Sequence, residues 1–257
     1  MIKGFFDGVT AYAKAFTLIS EMRLWKYLIV PGFISILLGA AIFGVTFGLA
    51  GVLGAWLISW YPFDWGLEYL TNISAFIGGF ILLTGGFILY KHLVMVIVSP
   101  FMSPLSQKIE AQMTGQPTKN TGFNFNQAIK DFGRGLLIAF RNIFKEFFYV
   151  LLLLLLGLLP ILNFLSPILI FATQAFYAGF GNMDYTLERH FNVRNSARFV
   201  KNHRGLAIGN GTVFLLLLMT GVGFFIAPPL ATIAATVESV KRLEQENLLA
   251  LPVEEYV

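Results

Sequence analysis

The 257-residue chain has no cysteine, which excludes a disulfide scaffold, a thiol nucleophile and a thiolate metal site. Its three histidines, His92, His190 and His203, are too dispersed to build a zinc site, and no cofactor is expected. Charge is scarce as well. Asp, Glu, Lys and Arg make up 12% of the residues against about 25% in soluble domains, so water cannot be the main solvent of this surface. Nucleic acid is not an expected partner, because its readers need a surface dominated by Lys and Arg. No G-x-S-x-G, H-E-x-x-H or phosphate-loop motif occurs, and the apolar segments hold no pair of carboxylates, so the chain does not read as an enzyme. The glycines at 205, 209 and 211 come without the phosphate-loop Lys and read as close helix packing by small residues.

What the sequence does have is hydrophobic length: 56% of its residues are apolar and 27 are Phe, a composition solvated mainly by lipid. Residues 27–63 carry no charge and no His, when about 20 apolar residues suffice to cross a bilayer, and Pro31 falls in the first turns of this stretch. Trp56, Trp60, Tyr61 and Trp65 gather at its far end as interfacial aromatics do, and Asp64 and Glu68 mark a short acidic turn. A second charge-free run follows, and the helix is expected over 69–99, ending at Pro100. These are the two full crossings.

The later apolar regions, 147–183 and 205–240, are broken inside. Pro160 and Pro167 bracket a polar turn with Asn163 and Ser166, leaving an arm of about 18 Å before it and one of about 21 Å after it, too short for a hydrocarbon core of about 30 Å. Gly221, Gly223, Pro228 and Pro229 cut the second region similarly. Both therefore read as helical hairpins that enter the membrane and turn back; the alternative is two pairs of full spans that the prolines kink or flank. The expected fold is an all-α integral membrane protein with two long transmembrane helices, two hemi-penetrating hairpins and interfacial amphipathic helices, one domain over 1–257.

All 18 Lys and Arg fall in the N-terminal segment, at Lys91, at 108–145, at 189–204 or at Lys241 and Arg242, so every basic segment can share one side. By the positive-inside rule that side is cytoplasmic, with both termini and the tail 241–257. Segment 1–24 reads as an interfacial amphipathic helix rather than a signal peptide. Segment 123–147 reads as a second, with Ile129, Phe132, Phe140 and Ile143 on one face and Lys130, Arg134, Arg141 and Lys145 elsewhere, resting on anionic headgroups. The apolar arms hold no charge, which favours passive passage over ion-coupled pumping. If the passenger is an anion, its candidate ligands are Arg23 and Lys26 at the cytoplasmic mouth, Lys91, and the turn groups Asn163 and Ser166. The competing role for Arg23 and Lys26 is plain interfacial anchoring.

The stretch with Pro100, Phe101, Leu105, Glu110, Thr114 and Gly115 resembles the Pro-Phe…Leu…Glu…Thr-Gly signature that follows the second span in the CysZ sulfate-permease family, which shares its domain with the eukaryotic etoposide-induced membrane protein. Asp184, Tyr185, His190, Arg198 and Arg204 resemble that family's basic loop between the hairpins, and 228–236 resembles its last hairpin. The resemblance spans nearly the whole chain. It implies two long transmembrane helices and two hemi-penetrating hairpins in a homo-oligomer of the bacterial inner membrane that passes sulfate inward for cysteine synthesis. It also implies an anion contact before the first span, where the family's Gly-Leu/Ile-Arg aligns with Arg23, Leu24 and Trp25, followed here by Lys26. Trp25 stands at the Arg position and lacks the forked donor set that Arg offers an oxyanion. A family member that carries another cargo or none, serving as a membrane scaffold or a lipid- and partner-binding protein, stays open as the second reading.

Overall fold

The structure, a computed structural model, describes residues 1–62, 66–116, 125–157, 159 and 162–249. Asp64 and Trp65 of the acidic turn, Pro160 of the first hairpin, and the ends of the segments expected at 123–147 and 241–257 lie outside the described residues. Eight helices occur among the described residues and no strand: α1 (Ile2–Glu21), α2 (Lys26–Ser59), α3 (Leu67–Thr114), α4 (Phe125–Leu156), α5 (Leu165–Leu187), α6 (Val193–Asn202), α7 (Arg204–Met219) and α8 (Gly223–Gln245). Helices α2, α3 and α8 include stretches long and apolar enough to cross a membrane.

Helices α2 and α3 form a long antiparallel pair. At 34 and 48 residues they extend about 51 and 72 Å. Small residues let them approach: a β-carbon on Gly78 would stand 2.5 Å from the Gly54 amide, and one on Gly86 would stand 2.8 Å from the Thr46 hydroxyl. The outer side of α2 leaves Phe33, Leu37, Phe47 and Val52 exposed, which only an apolar solvent tolerates along such a length.

The second helix does not end at Pro100, as the sequence leads one to expect, but runs through Pro100 and Pro104 to Gly115, whose φ of 68° closes it. Proline at 100 removes the bond to the Val96 carbonyl, and Ser99 Oγ donates to that same carbonyl at 2.8 Å. Helix α4 likewise runs unbroken through residue 147, where the sequence divides a surface helix from a hairpin arm. Pro167 sits in the first turn of α5, where a missing N–H costs nothing.

Helices α7 and α8 turn at Gly221 (φ 74°), and Pro228 and Pro229 lie inside α8 instead of in the turn. Helix α8 is central, packed on α1, α2, α3, α5 and α7. The glycines of α7 do what small residues are expected to do: a β-carbon on Gly211 would overlap the Ala175 carbonyl of α5, and one on Gly209 would overlap the Phe5 carbonyl of α1. Helix α1 buries Gly8, Ala11, Ala15 and Ile19 and turns Ile2, Phe6 and Phe16 outward.

Candidate functional site

Two polar regions stand out in this apolar molecule. The first is the turn between α1 and α2. Leu24 is buried and pins the turn, its amide donating to the Ile19 carbonyl at 2.9 Å. Arg23 adopts a left-handed backbone with φ of 51°, a conformation that glycine takes freely and other residues take at a cost of about 1 kcal/mol or more. Trp25 is exposed and packs edge-on against Phe16 at 6.3 Å. Lys26 opens α2, at the positive end of the helix dipole. Across from it Lys108 of α3 approaches the Tyr27 ring, its Nζ 5.1 Å from the centroid, while Lys26 Nζ lies 5.8 Å from the same centroid. No ion pair among the described residues involves Arg23, Lys26 or Lys108. The start of α2 thus has Lys26 and Lys108 against one ring and Arg23 in the preceding turn, and Lys108 is the member that sequence reasoning missed.

The second region is buried. On α3, Lys91, His92, Ser99, Ser103, Ser106 and Glu110 recur at helical spacing, a polar stripe about 28 Å long. Polar groups of α4 and the end of α5 meet it. Lys91 and Glu146 form an ion pair with both side chains fully buried; Lys91 also donates to the Gln174 carbonyl at 3.3 Å, and His92 Nε2 lies 2.8 Å from the other Glu146 oxygen. Arg134 forks onto Asp184, with Nε and Nη2 at 3.0 and 2.9 Å from its two oxygens, and reaches the Phe191 carbonyl and Ser196 Oγ. Burial works against the Arg134 charge, and Asp184 more than offsets it, lifting the guanidinium above its ordinary value. Arg189 Nε lies 2.8 Å from Glu110, whose other oxygen is 2.8 Å from His190 Nε2, and Nη2 of Arg189 donates to Ser106 at 2.8 Å. Ser106, Thr186 and Thr236 close a ring of hydroxyls at 2.9 to 3.0 Å.

Helix α4 supplies this interior because its amphipathicity is turned outside in. Asp131, Asn142 and Glu146 are buried, whereas Phe125, Ile129, Phe140, Phe144 and Phe147 are exposed. The sequence reading gave its four cations a common place on headgroups, but only Lys130 and Lys145 are exposed; Arg134 is taken by Asp184, and Arg141 lies 5.5 Å over the Phe180 ring. An aromatic face turned outward and carboxylates turned inward is the arrangement that lipid, not water, favours.

The sequence-derived candidates divide accordingly. Glu110, Asp184 and Tyr185 come together in the seam, Tyr185 by donating its hydroxyl to the Met95 carbonyl at 2.6 Å. Pro100 and Phe101 lie within α3, Phe101 packed on the core. Arg198 and Arg204 are exposed on α6 and at the start of α7. Lys91 is spent on Glu146, so its charge is not open to a passing anion. Asn163 is exposed in the turn before α5, and buried Ser166 donates to the Leu153 carbonyl at 2.5 Å, tying α5 to the end of α4. No hydrogen bond or ion pair among the described residues joins Arg23 or Lys26 to Lys91, Asn163 or Ser166. Sequence reading missed Asp131, Asn142, Glu146 and Arg189; the signal for the first three was the spacing 131, 134, 138, 142, 146, a second stripe opposite the aromatic one, and Arg189 had none.

A family described as "Sulfate transporter CysZ/Etoposide-induced protein 2.4" matches residues 11–229. The protein named "Sulfate transporter CysZ" from Vibrio parahaemolyticus serotype O3:K6 (strain RIMD 2210633) is 25% identical over 250 residues, covering 93% of this chain and 96% of that protein. A match across most of the chain, on an all-helical fold whose long apolar helices suit a bilayer, makes this a membrane protein of a transporter family and not an enzyme. The chain belongs to the family of the sulfate transporter CysZ and the etoposide-induced protein 2.4.

Proposed function

We propose that this protein is a channel-like anion permease of the bacterial inner membrane that admits sulfate for sulfur assimilation, with its termini and basic segments in the cytoplasm and its chains assembled as a homo-oligomer. The observation that carries the reading is a group of cations without carboxylate partners at the start of α2: Lys26 and Lys108 lie against the Tyr27 ring, and Arg23 sits in the turn just before them. Cations so placed, with a helix N-terminus, draw in a divalent oxyanion and strip part of its water. The hairpins α4–α5 and α7–α8 enter the membrane and return. Helix α7 reaches only about 24 Å, and α8, though long enough as a whole to cross, meets Glu238, Lys241 and Arg242 after its first 15 residues, 223–237. The outward aromatics of α1 and α4 rest among acyl chains, with exposed Lys130 and Lys145 at anionic headgroups.

The test is uptake of radiolabelled sulfate by proteoliposomes. The wild type is expected to show saturable flux, and the triple variant Arg23→Ala, Lys26→Ala, Lys108→Ala is expected to lose it while staying inserted and folded. Equal flux in both would place the anion path elsewhere. One observation favours the second reading, a scaffold without transport: Trp25 occupies the position of the family's Arg. No flux from well-inserted wild-type protein would decide for it.

A further inference from the structure

Helices α3, α4 and the end of α5 enclose a small cavity of about 30 Å³, room for one or two water-sized guests, with His92, Ser99, Asp131, Asn142, Asp184 and Glu188 among its walls. Asn142 is 1% exposed, and neither its amide nitrogen nor its amide oxygen has a partner in the protein. Leaving such a group unsatisfied costs about 1 to 3 kcal/mol per hydrogen-bonding atom, so the cavity calls for a polar guest.

The charge around it decides what kind. Four carboxylates face this region, Asp131, Asp184 and Glu188 on the wall and Glu146 behind His92, against three cations that are already engaged. Arg134 spends its fork on Asp184, and Lys91 is paired with Glu146. Arg189 is paired with Glu110, and its charge also acts on Asp131 and Glu188. Asp131 receives the Gln127 amide at 2.6 Å, and neither it nor Glu188 makes an ion pair among the described residues. Burial, and then the charges of Asp131 and Asp184, push Glu188 up to about 8, so at neutral pH it holds a proton. Burial raises Asp131 too. Such walls repel sulfate. A chelated divalent ion is also disfavoured, because it takes six or more oxygens and only Asp131 and Glu188 among these carboxylates are without an ion pair.

We propose that this cavity is a binding site for a monovalent cation, Na⁺ by its size, held between Asp131, Glu188 and the side-chain carbonyl of Asn142. The ion replaces the proton on Glu188 and gives the Asn142 oxygen its missing partner. The site is separate from the cationic mouth and does not depend on sulfate being the cargo.

The experiment measures radiolabelled Na⁺ bound to the purified full-length protein in detergent, with choline chloride holding ionic strength constant. Saturable binding of one ion per chain is expected, with K⁺ a weaker competitor, and with roughly tenfold or greater loss in Glu188→Gln and in Asn142→Leu. Wild-type protein that binds no Na⁺ overturns the proposal, and so does binding that both variants retain. Should the variants fail to fold, proton release decides. Adding NaCl to wild-type protein in weak buffer at neutral pH is expected to release about one proton per chain, and no release would overturn the site. Neither measurement involves sulfate, so a failure of sulfate flux leaves this result independent.

Discussion

Lys91 of α3 and Glu146 of α4 form an ion pair with both side chains fully buried, and His92 holds the second oxygen of the same carboxylate at 2.8 Å. One carboxylate thus neutralises a Lys that would otherwise be stranded in an apolar interior, and it fixes the register of α4 against the long helix. Such a pair adds little net stability compared with a well-packed apolar pair, but losing one partner is expensive.

Replacing Glu146 by Ala is expected to destabilise the protein by about 3 to 5 kcal/mol, because Lys91 is left buried without its counter-ion. The double variant Lys91→Met, Glu146→Leu recovers most of that loss. Thermal unfolding of both proteins in the same detergent checks this; a double variant no more stable than the single one would show that the pair is not an isolated unit.

Arg23 holds a left-handed backbone, the conformation that glycine takes most freely. Arg23→Gly is therefore expected to stabilise the turn by up to about 1 kcal/mol while weakening sulfate uptake, since strain is relieved and a mouth cation is lost. Trp25→Arg is expected to raise uptake several-fold by restoring a forked donor. Paired melting and flux measurements separate the two effects, and a loss of stability in Arg23→Gly would contradict the strain.

Gly211→Ala is expected to cost at least about 1 to 3 kcal/mol, because the new β-carbon would overlap the Ala175 carbonyl and push α7 away from α5. Gly48 in α2 has open space within 4 Å, so Gly48→Ala serves as the control and is expected to be neutral or slightly stabilising. Melting temperatures in detergent distinguish the two sites.

Glu188 gives a pH dependence of definite sign. Its carboxyl stands at about 8 in the folded chain against an ordinary 4.5, so between those values the folded state binds a proton that the unfolded state has released. Stability then falls as pH rises from about 4.5 to about 8, by up to a few kcal/mol, and levels off above. In sodium-free buffer the wild-type melting temperature is expected to fall across that window and Glu188→Gln to flatten the fall. Identical profiles would remove Glu188 as the titrating group.

Much of the architecture was legible in the amino-acid order. The charge-free run after Tyr27 dictates a long helix because lipid leaves the backbone no other partner, and Gly205, Gly209 and Gly211 announce close approach because only hydrogen fits between two backbones. The ends of elements were read less well. Pro100 looks like a terminator, yet the hydroxyl of Ser99 takes over the Val96 carbonyl and the helix continues. Residue 147 looks like a boundary because charge gives way to Leu there, although hydrogen bonding along α4 is indifferent to that change.

The sites show the same division. Arg23 and Lys26 are visible in sequence because they precede an apolar run, and cations that flank a span need no partner to be recognised. Lys108 is not visible: its place beside Tyr27 follows from how α3 lies against the start of α2. Nor is the buried seam. Periodicity tells that α4 has a polar and an apolar face but is symmetric with respect to which one is inside; only packing on α3 and α5, with Lys91 to meet Glu146 and Asp184 to meet Arg134, turned the carboxylates inward and left the phenylalanines exposed. Composition and hydrophobic length determined the solvent and the helices, because those depend on each residue's own transfer energy. Tertiary structure decided which charges neutralise one another and which stay without a counter-ion, because that depends on pairs distant in sequence.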